Sequence, residues 1–136
     1  MRRALVVSMF LFGALSCQLP PEQMPLKPLP DDGIPEGYTD LVKRARLQAG
    51  SANVAFYENK WADLRDAAQG LEKTAVFLAK SSTIPARHKD TLAVESGDLG
   101  KEAVRLKEAA AAEDVKKATE AMQKIQLMVR QLGIQD

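Results

Sequence analysis

Apolar residues recur along the last three-quarters of the chain at alternating intervals of three and four. Val42, Ala45, Ala49, Ala52 and Phe56 form the first such series, a spacing that places them on one face of a helix. Trp61, Leu64, Ala68, Leu71, Ala75 and Leu78 form a second, and Val115, Ala118, Met122, Ile125, Val129 and Leu132 another. Between these two lies a sparser series of Leu92, Leu99, Ala103, Leu106 and Ala110. The pattern predicts four helices, over about 39–57, 59–80, 89–111 and 114–132. Thr39 and Asn59 are the expected side-chain caps of the first two.

The punctuation between these blocks sets the architecture. Gly50, Ser51 and Asn53 weaken the middle of the first helix, where a kink is expected. Ser81-Ser82-Thr83-Ile84-Pro85 ends the second, because proline cannot continue a helix. Gly97 and Gly100 each cost the third roughly 1 kcal/mol relative to alanine. No Gly or Pro divides the third helix from the fourth, so a continuous helix is the alternative there. The apolar series nevertheless slips in phase: it resumes at Val115 rather than Lys117, beside Glu113 and Asp114, which favours a tight turn. Narrow apolar stripes of this kind suit small crossing angles. The expected fold is therefore all-α, an up-down-up-down four-helix bundle over residues 38–136, with Trp61 anchoring the core at one end.

Residues 1–37 follow a different pattern. Met1-Arg2-Arg3 precedes a 12-residue apolar run from Ala4 to Leu15. A bilayer-spanning helix needs about 20 such residues, so the run fits the core of an export signal instead. Ala14-Leu15-Ser16-Cys17 follows directly and resembles the lipobox of bacterial lipoproteins. That resemblance implies cleavage after residue 16 and lipidation of Cys17. The alternative is an ordinary secretory signal with an incidental cysteine. Residues 17–37 then hold six of the seven prolines, which favour extended polyproline-like conformations. They read as a tether between membrane and bundle, with a proline-rich ligand for some partner as the rival reading.

Composition narrows the function. The 19 basic and 18 acidic residues nearly balance, and losing Arg2 and Arg3 with the signal leaves a slight acidic excess, which gives no electrostatic drive toward nucleic acid. One cysteine forbids an internal disulfide. One histidine, His88, cannot supply the paired Glu-x-x-His sets of di-iron bundles. Its place after Pro85, between Arg87 and Lys89, reads as a solvated loop residue. Met122 reads as core filling and not as a copper ligand. Asp63, Asp66 and Glu72, interspersed with Arg65 and Lys73, read as a solvated face with weak ion pairs. No Ser-His-Asp set, Gly-rich phosphate loop or acid–base pair stands out, so no catalytic residue, metal or cofactor is assigned.

The segments Trp61-Ala-Asp-Leu64-Arg65-Asp-Ala-Ala and Leu106-Lys-Glu-Ala109-Ala110, with Asp114 shortly after, resemble bacterial cytochrome c′-like four-helix proteins. The resemblance implies a Cys-x-x-Cys-His haem motif near Val129-Arg130-Gln131-Leu132-Gly133, where this chain has apolar residues and a glycine. It therefore implies a haem-less member, to which electron-transfer and gas-binding roles do not carry over. The leading expectation is a non-enzymatic lipoprotein of the cell envelope, structural or protein-binding, held at a membrane through its lipid and meeting a protein partner not yet identified. The alternative is a small-ligand or cofactor carrier without covalent haem, whose candidate pocket lies near Trp61 and Phe77.

Overall fold

In a computed structural model, residues 37–134 are described. They form four α-helices: α1 (Tyr38–Tyr57), α2 (Trp61–Ala79), α3 (Leu92–Ala111) and α4 (Val115–Leu132). A short 3-10 turn, Ala86–His88, precedes α3, and no strand occurs among the described residues. Each helix packs on its sequence neighbour, and α4 also packs on α1, closing a four-helix all-α bundle.

The expected stripes are the core. Leu64, Ala68, Leu71, Ala75 and Leu78 of α2 are buried, as are Leu92, Leu99, Ala103, Leu106 and Ala110 of α3. In α4 the buried series runs from Ala118 through Met122, Ile125 and Val129 to Leu132. Val115 departs from expectation and is 57% exposed. It is the first residue of α4, at the rim of the bundle, and the buried stripe begins one turn later. Trp61 is likewise only half-buried and packs against the edge of the core. The core therefore consists mainly of leucine and alanine. Alanine lets the helices approach closely, and each buried leucine removes apolar area worth about 1.5–3 kcal/mol from water.

Buried polar residues interrupt these stripes, and Ser96, Thr74 and Gln48 among them are hydrogen-bonded. Ser96 occupies the inward position between Leu92 and Leu99, and its hydroxyl donates to the Ala93 carbonyl. Thr74 Oγ1 donates to Gln48 Oε1 at 2.8 Å, joining α2 to α1. Gly70 lies against the same Gln48 side chain; a β-carbon there would sit 2.7 Å from its Nε2. The glycine thus makes room for a buried amide.

The turns differ from the caps expected of the sequence. α1 starts at Tyr38, with Gly37 before it and no local side-chain cap. Instead the Tyr38 amide donates to Thr83 Oγ1 from the loop after α2, so a distant hydroxyl satisfies one of the first-turn donors that a helix leaves open. Asn59 does not cap α2. It adopts the left-handed conformation (φ 56°), and its amide and that of Lys60 donate back to the carbonyls of Phe56 and Ala55. These paired bonds terminate α1 in a Schellman turn. The α3–α4 turn repeats the device: Glu113 has φ 53°, and the amides of Glu113 and Asp114 return to Ala110 and Ala109. Asp114 then caps α4 by accepting the Lys117 amide, which holds its carboxyl below the ordinary range. The phase slip thus marks a real turn, while α1 runs unbroken through Gly50, Ser51 and Asn53.

Candidate functional site

Of the residues singled out from the sequence, Cys17 lies outside the described residues. The structure does not bring Trp61 and Phe77 together. They stand near opposite ends of α2, 16 positions apart, or about 24 Å at 1.5 Å per residue. Trp61 instead meets Phe56 edge-on, with ring centroids 5.9 Å apart, and Phe56 meets Tyr57 at 5.8 Å. The three rings form a half-exposed row at the α1–α2 turn. Tyr57 is its outermost member, 76% exposed.

His88 corrects the reading of a solvated loop residue: it is 3% exposed. The 3-10 turn points its ring inward, where it stacks on Tyr38 with centroids 5.7 Å apart. Nδ1 lies 3.0 Å from Glu95 Oε2 and Nε2 lies 3.1 Å from the Ile134 carbonyl. Both partners are acceptors, so a ring protonated on both nitrogens donates to each of them, and a neutral ring to only one. Glu95 is held from its other side by the Thr91 hydroxyl. Tyr38 completes the group by donating its hydroxyl to the Leu132 carbonyl at 2.7 Å. Burial, followed by the nearby Glu95 charge, pushes the Tyr38 phenol up to about 12. This knot ties the start of α1, the α2–α3 connection, the start of α3 and the end of α4 together. Sequence reasoning missed it because its members lie far apart in the chain, and only the inward turn after Pro85 brings them together.

A third feature is a cleft of about 530 Å³ between α3 and α4. Glu102, Arg105 and Glu108 line one side and Lys117, Glu120 and Lys124 the other, with Ala109, Ala112 and Ala121 between. Glu102 is almost wholly buried, and its Oε1 takes Arg105 at 2.6 Å and Lys124 at 3.5 Å. Its Oε2 is buried with no hydrogen-bond partner among the described residues. Alanines on both helices open the cleft, and charge complementarity across it ties α3 to α4. A second inter-helix ion pair, Lys107 with Glu72, joins α3 to α2. Glu72 is therefore a packing contact and not only a member of a solvated face.

No group of three or more His, Cys, Asp or Glu that could hold a metal ion occurs among the described residues. The residues at the expected haem-motif positions do not fit a covalent haem. Val129 and Leu132 are buried aliphatic side chains of the core, and Gly133 has no side chain to offer iron. No described helix is long and apolar enough to cross a membrane. No family model, curated protein or solved structure matches the chain.

Proposed function

We propose that the chain is a non-enzymatic, lipid-anchored protein of the cell envelope whose up-down-up-down helical bundle serves a structural or protein-binding role. In this reading Cys17 carries the anchor and residues 18–37 are the tether. The observation that carries it is where the bundle closes. All six clustered prolines precede Gly37, and at Tyr38 the fold seals itself through bonds to Thr83 and Leu132. A tether leaving at that point exits from a fixed place on the domain. The apolar run that ends at Leu15, just before Cys17, supports export, and several acyl chains, at about 0.8 kcal/mol per buried CH₂, make a lasting anchor. Intact mass spectrometry of the membrane fraction tests this. A chain starting at Cys17 with added acyl mass, absent from Cys17→Ser, is expected. An unmodified chain cut elsewhere overturns the anchor.

The α3–α4 cleft favours a second reading, a haem-less relative of cytochrome c′-like bundles that carries a small polar ligand. The buried Glu102 carboxylate and the cations above it supply paired charges for such a molecule. A panel of amino acids, nucleotides and haem, screened by thermal shift, tests it. A rise in Tm that Lys124→Ala removes is expected of a carrier, and a flat response across the panel overturns it.

A further inference from the structure

The outward face of α1 is unusual for a surface helix. Lys43, Leu47, Gly50, Val54 and Tyr57 fall within about 80° of one another at 100° per residue. All five are exposed, and the last two large side chains are 51% and 76% exposed. A β-carbon at Gly50 would meet nothing within 4 Å, so the stripe is bare at its centre. It runs from near the foot of α1 to the Tyr57–Phe56–Trp61 ring row. Elsewhere the exposed large apolar side chains are distributed over α2, α3, α4 and the end of the chain.

The segment that joins α1 at Gly37 matches this stripe in length and chemistry. Residues 18–36 span up to about 59 Å in a polyproline conformation, against about 30 Å for α1. In that conformation, with three residues per turn, Pro25 and Pro28 align on one edge and Leu26 and Leu29 on the next. Counting back from Gly37 at about 3.1 Å per residue puts Leu29 and Leu26 roughly 25 and 34 Å away. Val54 and Tyr57 lie roughly 24 and 29 Å along α1 from Tyr38. Pro25-Leu26-Lys27-Pro28 is also a P-x-x-P run, which aromatic-lined surfaces recognise because its extended shape is preformed. Charge agrees as well. Lys27 comes abreast of Glu58, with Asp63 and Asp66 nearby around the ring row.

We infer that the proline-rich segment of the same chain folds back along α1 and docks Pro25–Leu29 against Val54, Tyr57 and the neighbouring rings. The inference rests on that segment belonging to the mature chain, as proposed above. Docked, it lays the bundle close to its anchor; released, it extends the bundle's reach. A partner that competes for the ring row would therefore also lengthen the tether.

The test uses the chain from residue 17 onward with Cys17→Ser, so its outcome does not depend on acylation. A nitroxide is placed at Lys27→Cys and the backbone NMR signals are recorded. Loss of intensity at Leu47, Val54, Tyr57 and the Trp61 indole is expected, with Val94 and Leu127 on other helices unaffected. Val54→Asp, an exposed site whose fold is checked by circular dichroism, should restore the lost signals. Four results overturn the inference: no broadening; broadening spread evenly over every helix; broadening seen only when spin-labelled and isotope-labelled chains are mixed, which indicates a second copy; or shielding of the stripe only on adding phosphatidylglycerol vesicles, which indicates a membrane face.

Discussion

The two ends of α1 are built on opposite principles. At Tyr38 the aromatic ring is fully buried, its hydroxyl and amide are both bonded to distant parts of the chain, and His88 stacks on it. At Tyr57, about 29 Å away along the same helix, the ring is mostly in solvent and meets its sequence neighbour Phe56 edge-on. One tyrosine closes the bundle; the other decorates it. The same residue type in the same helix is thus a structural keystone or an available surface, depending on which elements converge on it.

The largest effect should come from truncating each ring. Tyr38→Ala is expected to cost about 3–5 kcal/mol, the range for a buried aromatic whose cavity cannot collapse, while Tyr57→Ala should stay within about 0.5 kcal/mol. Urea unfolding of both variants reads the difference, and equal costs would abolish the contrast. Alkaline pH sharpens it next. The folded Tyr38 phenol titrates near 12 rather than its ordinary 10.0, so its neutral form is favoured in the native state. Its contribution is complete below pH 10 and is lost as pH rises toward 12, by roughly 2–3 kcal/mol. Tyr38→Phe should flatten that part of the stability profile.

Smaller effects separate the tightly packed interior from the open turns. Gly70→Ala should cost about 1 kcal/mol, because the added methyl displaces the buried Gln48 amide from its bond to Thr74. Gly97→Ala, with open space around it, should instead gain about 0.5–1 kcal/mol from helix propensity. A cost at both sites would mean that α3 packs more closely than described. Smallest of all, Glu113→Gly should gain roughly 0.5 kcal/mol by relieving a side chain held in the left-handed region. Thermal melts resolve its sign.

Periodicity made the helices legible because burial repeats with the helix. Leu64, Leu71, Leu99, Leu106 and Ile125 could hardly face anywhere but inward. Polar residues at inward positions were not legible. Ser96, Gln48 and Thr74 are tolerated only because a carbonyl or another side chain stands opposite, and that partner is a fact of packing. Caps misled for the same reason: Asn59 suits a cap and a left-handed turn equally well, and the Schellman bonds decide between them. His88 was misread because Arg87 and Lys89 suggest solvent, yet a 3-10 turn rotates successive side chains by about 120°, so one can point inward while its neighbours face water. Trp61 and Phe77 looked like a pair on paper, whereas the helix rise keeps them far apart.

The bond from Tyr38 to the Leu132 carbonyl joins residues 94 positions apart, and this bears on how the protein comes to exist. A contact of such long range has to overcome the entropy of closing almost the whole domain into a loop. α1 can find α2 early, through a three-residue turn, but its first turn has no final partner until the last turn of α4 has been made and delivered. Until then the chain remains an open set of helices with the Tyr38 ring, fully buried in the finished fold, uncovered. That interval is when a chaperone or protease would find it, and when the last step of assembly, rather than the first, decides its fate.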